Sequence, residues 1–120
     1  MRMLGALALL MVAACDETPP VATLTEVPAK FVGQWEEKVA DCAARGAWSV
    51  IVTPTQVVFP DSTITVTGVA PDGGYAARVD GKFKSAEAEW DGAVRLELGR
   101  NGSELSVVNG SQLEPRVKCP

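Results

Sequence analysis

Few side chains in this 120-residue chain are able to do chemistry. There is no histidine, so Ser-His-Asp and Cys-His nucleophile activation and histidine-ligated metal sites are excluded. Ser62, Ser85 and Ser103 stand in neither a G-x-S-x-G nor an S-x-x-K setting. Glu87, Glu89 and Asp91 alternate, so a strand would project all three carboxylates from one face. Such a face can hold a hard cation or act as an acid–base pair, but no glycine-containing calcium loop accompanies it. A solvated face that discourages sheet aggregation accounts for it. Asp72-Gly73-Gly74 is too short to cradle a phosphate and no helix follows it. Asn101-Gly102-Ser103 and Asn109-Gly110-Ser111 have the N-x-S form of a glycosylation acceptor, yet Asn-Gly is first a hairpin signal. With the usual acids, bases and metal ligands missing, no enzyme activity, metal or cofactor is expected. The formal charge of −4 argues against nucleic acid, which requires a basic footprint. A hydrophobic fraction of 47% with 22% charged residues is globular, and the length is that of one domain.

The three cysteines carry more information. The first 14 residues read MRMLGALALLMVAA, with Arg2 ahead of an apolar run and two small residues before Cys15. The run is too short to span a bilayer and has the form of a cleaved export signal. Val12-Ala13-Ala14-Cys15 resembles a bacterial lipobox, with Val12 where Leu is more usual. That resemblance implies cleavage before Cys15, a lipid on its sulfur and an acyl chain on the new amino group. More than one chain anchors stably, since each buried methylene contributes about 0.8 kcal/mol. The expected location is the periplasm-facing cell envelope, with inner or outer membrane left open by Asp16, which in some bacteria resembles a retention signal. Lipidation of Cys15 leaves Cys42 and Cys119, an even pair in an exported chain and hence a disulfide. No C-x-x-C supports the alternative of a redox pair or thiolate metal site.

The elements that would position these residues are strands. From Asp16 to Pro28 the chain reads DETPPVATLTEVP, without apolar period, and is expected to be a tether. This divides the protein into a leader at 1–14, a lipidated tether at 15–28 and one domain at 29–120. Within the domain, turn signals recur about every ten residues, the spacing of hairpins. They are Thr53-Pro54, Pro60-Asp61, Asp72-Gly73-Gly74, Asp80-Gly81, Asp91-Gly92, Asn101-Gly102 and Asn109-Gly110. Between them apolar residues alternate: Trp48, Val50 and Val52; Val57 and Phe59; Ile64 and Val66; Tyr75, Ala77 and Val79; Ala86, Ala88 and Trp90; Val94, Leu96 and Leu98; Leu105 and Val107. Period two with one apolar face is what half-buried antiparallel strands require. The expected fold is all-β: a small antiparallel meander closed or nearly closed into a barrel of about eight strands, with one disulfide. Residues 36–46 depart from the pattern and read as a loop or one short helical turn, Gly46 serving as its cap.

Phe31-Val32-Gly33-Gln34-Trp35 resembles the F-x-G-x-W opening of the calycins, the lipocalins and fatty-acid-binding proteins. The resemblance implies that Trp35 plugs one end of a barrel, with a cation from the last strand, here Arg116, over its ring. A wider resemblance is to small, uncharacterised exported bacterial lipoproteins. It rests on the same opening, Asp41-Cys42, Val50-Ile51-Val52, Val57-Val58-Phe59 and the terminal Arg116-Val117-Lys118-Cys119-Pro120. It supports the bridge and the fold and implies no activity. Phe31, Trp35, Trp48 and Trp90, with Arg116, are the candidate plug or ligand lining, and Phe59, Phe83 and Tyr75 extend the aromatic set. Small barrels usually fill their own interior. The expected function is a monomeric, lipid-anchored binding or interaction module of the envelope, with a protein partner there. The alternative is a calycin-like carrier of a small hydrophobic ligand.

Overall fold

The computed structural model describes residues 21–109 and 112–120. The leader 1–14, Cys15 and the glycine of Asn109-Gly110 lie outside the described residues. Eight strands follow one another: β1 Gly33–Glu36, β2 Val50–Val52, β3 Gln56–Val58, β4 Ser62–Asp72, β5 Ala76–Ser85, β6 Glu89–Gly99, β7 Glu104–Asn109 and β8 Gln112–Lys118. Each pairs antiparallel with the next, and β8 pairs with β1 through Trp35 opposite Lys118 and Glu36 opposite Val117. The expected all-β meander is therefore a closed barrel, and the Cys42–Cys119 disulfide is present. Closure gives every strand two neighbours and removes the edges that invite association.

The alternation sets the interior. Val50, Val52, Val57, Ile64, Val79, Leu96 and Leu105 point inward and are fully or almost fully buried. Between Val66 and Gly68 the β4 register shifts by a bulge, which bends the strand around the barrel. One end is plugged from below. A 3₁₀ turn at Ala29–Phe31, entered from Pro28 at φ −59°, drives Phe31 into the core. Gly33 then takes φ 153°, a conformation that glycine adopts readily. Trp35 follows, fully buried, its indole N–H donating to the Phe31 carbonyl at 3.0 Å. The F-x-G-x-W spacing thus folds one aromatic ring and one backbone acceptor into the same closed end.

The fold begins earlier than the tether reading expected. Leu24 pairs antiparallel with Val69, and the Val27 N–H donates to the Pro54 carbonyl at 2.9 Å. Val27 is buried in the main core. These two apolar residues, set among prolines and threonines, are enough to lay residues 23–28 along the barrel.

Two of the expected turns are not turns. Asp80-Gly81 and Asp91-Gly92 lie inside β5 and β6, and Gly81 pairs directly with Gly92. The hairpin between these strands is at 86–88, and it contains no glycine. There the Ser85 hydroxyl accepts the N–H groups of Glu87 and Ala88, each at 3.3 Å. Gly81 meets a different need. A Cβ at this position would overlap the Thr65 carbonyl oxygen and the Ile64 Cγ2 methyl. Gly81→Ala is expected to destabilise the protein by about 1–3 kcal/mol, the usual cost of overpacking. A lower thermal midpoint with an unchanged far-ultraviolet spectrum would report it.

The expected stripe of three carboxylates is not gathered on one strand: Glu87 lies in the 86–88 hairpin, and the other two are paired across strands. Asp91 lies 3.7 Å from Lys82 and Glu89 lies 4.0 Å from Lys84, both on the exposed outer wall. Pairs of this kind contribute little to stability.

Candidate functional site: the mouth of the barrel

At the end of the barrel opposite Trp35, the β3–β4 connection, the facing ends of β5 and β6, and Val107 and Arg116 of β7 and β8 surround a half-open cavity. Its volume is about 630 Å³, within the range of small-molecule sites, about 300–1,000 Å³. Phe59, Phe83, Trp90 and Val94 supply apolar wall. Asp61, Ser62, Ser85 and Arg116 supply polar groups on the same wall. Below this cup the interior is occupied by the barrel's own side chains, with Ile64, Val79, Leu96 and Leu105 wholly buried.

Its floor and side are aromatic by construction. Phe83 on β5 pairs with Trp90 on β6, which places both side chains on the same face. Their ring centroids are 5.4 Å apart with planes 25° from parallel, an offset stack. Gly92, two residues along β6, leaves room for them: a Cβ there would stand 3.1 Å from Phe83 Cε1 and 3.6 Å from Trp90 Cδ1. Phe83 is buried at 6% exposure, whereas Trp90 keeps 46% of its surface exposed. One ring backs the other and the outer one faces the mouth.

A second, smaller cavity of about 280 Å³ adjoins the first and shares Phe59, Asp61 and Arg116 with it. Trp48 and Ser49 form its other side. The Arg116 Nε donates to the Trp48 carbonyl at 2.6 Å, so β8 and the segment entering β2 are joined at the rim.

The sequence candidates thus separate into two groups. Trp90 and Arg116 line the mouth, with Trp48 beside it in the smaller cavity. Phe31 and Trp35 belong to the plugged end and line no part of the mouth. The cation over Trp35 is Lys118, with Nζ 5.6 Å from the ring centroid, and not the expected Arg116. The stagger of the barrel decides this: Lys118 is level with Trp35, whereas Arg116 is level with Leu105. Phe59 and Phe83 join the mouth, and Tyr75 lies away from it, 69% exposed in the β4–β5 turn. Asp61 was legible only as a turn residue and Ser62 only as a serine without a catalytic setting; their place on the rim follows from closure.

One buried group had no sequence signal at all. Glu36 is fully buried on the outer side of β1, beneath residues 37–49. That segment has one 3₁₀ turn, Val39–Ala43, and the disulfide fastens it to Cys119. The carboxylate accepts from the Gly46 N–H at 2.9 Å on Oε1, and from the Ser49 hydroxyl and Gln34 Nε2, both at 2.7 Å, on Oε2. Gln34 Nε2 also donates to the Cys42 carbonyl at 3.2 Å. Burial alone pushes the Glu36 carboxyl up. The hydrogen bonds from Gln34, Ser49 and Gly46, with the Arg45 charge, outweigh it and hold the group below the usual carboxylate range. Both oxygens accept, three hydrogen bonds in all, so Glu36 is an organising carboxylate rather than a reactive one.

Among the described residues, no group of three or more cysteine or carboxylate side chains converges as metal ligands would. The arrangement is that of a closed eight-stranded antiparallel barrel, filled along most of its length and open as an aromatic cup at one end. No family model, curated protein or solved structure matches the chain.

Proposed function

We propose that this protein is a binding module of the bacterial cell envelope, held to a membrane through lipid on Cys15, and that the mouth of the barrel is its binding site. The observation that carries the reading is the 630 Å³ cup, whose wall mixes stacked aromatic rings with acidic, hydroxyl and guanidinium groups. Concave sites with apolar walls and a few convergent polar groups are where small molecules bind. Among the described residues lining this cup, no histidine or lysine stands beside the serine hydroxyls as a base, which favours binding over catalysis. The wholly buried Ile64, Val79, Leu96 and Leu105 below the cup favour a compact ligand over a long alkyl chain. The closed sheet favours the mouth over a strand edge as the place of contact.

Native mass spectrometry of the full chain, purified from its own host in mild detergent, tests both halves of the proposal. The expected species begins at Cys15, carries two or three acyl chains and retains a small-molecule adduct that Trp90→Ala loses. A lipid-free mass starting at Met1 would overturn the anchoring. An adduct indifferent to Trp90→Ala would place binding elsewhere.

A further inference from the structure

The geometry points to a pyranose ring of an oligosaccharide as the occupant of the cup, a conclusion that rests on the mouth being the binding site and names the ligand class. A pyranose is amphipathic in a particular way. One or both faces carry C–H bonds and the periphery carries hydroxyls. It therefore needs a flat apolar surface bordered by hydrogen-bonding side chains in one shallow site.

The mouth supplies that combination. Trp90 is backed by Phe83 in a stack and is 46% exposed, so its ring is held in place while remaining accessible. Gly92 carries no side chain to lift the rings from the strand. Asp61 and Ser62 stand in the same wall, and the Ser62 hydroxyl reaches Asp61 Oδ1 at 3.5 Å, a long contact that a sugar hydroxyl can displace. Arg116 lies on the same wall, with its Nε on the Trp48 carbonyl. Carboxylate, hydroxyl and guanidinium groups together both accept from and donate to sugar hydroxyls.

The form of the cavity separates this ligand from an aliphatic one. A fatty acid needs an enclosed apolar tunnel, but the barrel below the cup is closed by Ile64, Val79, Leu96 and Leu105. A cup that is half open admits one residue of a chain while the remainder extends into solvent.

The experiment uses the full chain in detergent. It is titrated separately with the trisaccharides of β-linked N-acetylglucosamine, β-linked glucose and α-linked mannose, and with sodium laurate below its micellar concentration. Tryptophan fluorescence and saturation-transfer NMR give the readouts. At least one trisaccharide is expected to bind, with saturation transfer strongest on ring C–H protons. Trp90→Ala should weaken it at least tenfold, Trp90→Phe by less, and Tyr75→Phe not at all. Near-ultraviolet circular dichroism of each variant checks that the barrel is intact. Laurate binding without any trisaccharide binding would overturn the sugar assignment and leave the mouth as a carrier site. Trisaccharide binding untouched by Trp90→Ala would overturn the assignment to this cup. No binding in any arm would overturn the assignment and count against the mouth as a small-molecule site.

Discussion

Replacing Cys42 and Cys119 together by serine is expected to lower the thermal midpoint by roughly 20–30 °C, which follows from about 4–5 kcal/mol of lost stability in a domain of this size. The two residues are 77 positions apart, so the bridge closes most of the domain into one loop and strongly restricts the unfolded chain. Its folded-state partners add to this. Cys42 sits in the 3₁₀ turn Val39–Ala43, and Cys119 follows β8, where its N–H donates to the Gln34 carbonyl at 2.9 Å. The β8–β1 pairing that closes the barrel spans only two residue pairs. The covalent link lies beside that short seam. Differential scanning calorimetry of the oxidised protein and the double variant checks the value. A midpoint change below about 5 °C would show that the seam holds without its bridge.

Glu36→Ala is expected to cost about 3–4 kcal/mol, and Glu36→Gln about 1–2 kcal/mol. The alanine variant leaves the Gly46 N–H and the buried Ser49 hydroxyl without their acceptor and takes from the Gln34 amide one of its two. Glutamine keeps one oxygen, enough for the Ser49 and Gln34 donors at the Oε2 position, but turns the other into an amide donor facing the Gly46 N–H. Urea denaturation of the three proteins measures the difference. The pH dependence has a definite sign. The folded-state value of Glu36 is depressed, so its contribution is complete above the ordinary glutamate value of roughly 4.3 and is lost as the pH falls through the lower folded value. Wild-type stability should therefore drop in acid more steeply than that of Glu36→Gln. Parallel curves below pH 4 would remove Glu36 as the cause.

The strand pattern was legible because burial is one-sided. Alternation at Val50 and Val52, Ile64, Ala77 and Val79, or Leu105 and Val107 needs only local sequence, and each of these residues is inside the barrel. The bridge was legible from cysteine parity. What failed was long-range. Asp80-Gly81 and Asp91-Gly92 have the composition of tight turns, yet their glycines face one another across a sheet. The need at Gly81 comes from Thr65 and Ile64 on a third strand, which no local window contains. The true turn at 86–88 relies on a serine hydroxyl, a weaker cue. Arg116 and Lys118 share a strand face, so alternation cannot say which is level with Trp35; the stagger does. The mouth was visible only as a supply of aromatic residues. Which of them gather, and that Asp61 and Ser62 join them, depends on which strand ends meet when the meander closes.

The chain laid against β4 also fixes how far the molecule can stand from a surface. The Thr23 N–H is already bonded to the Val69 carbonyl, which leaves seven residues, 16–22, between Cys15 and the barrel wall. Even drawn out straight, that leash reaches about 25–30 Å. If Cys15 carries lipid as proposed, the domain stands within roughly its own width of the headgroups, and its ligand is met in that layer of solvent.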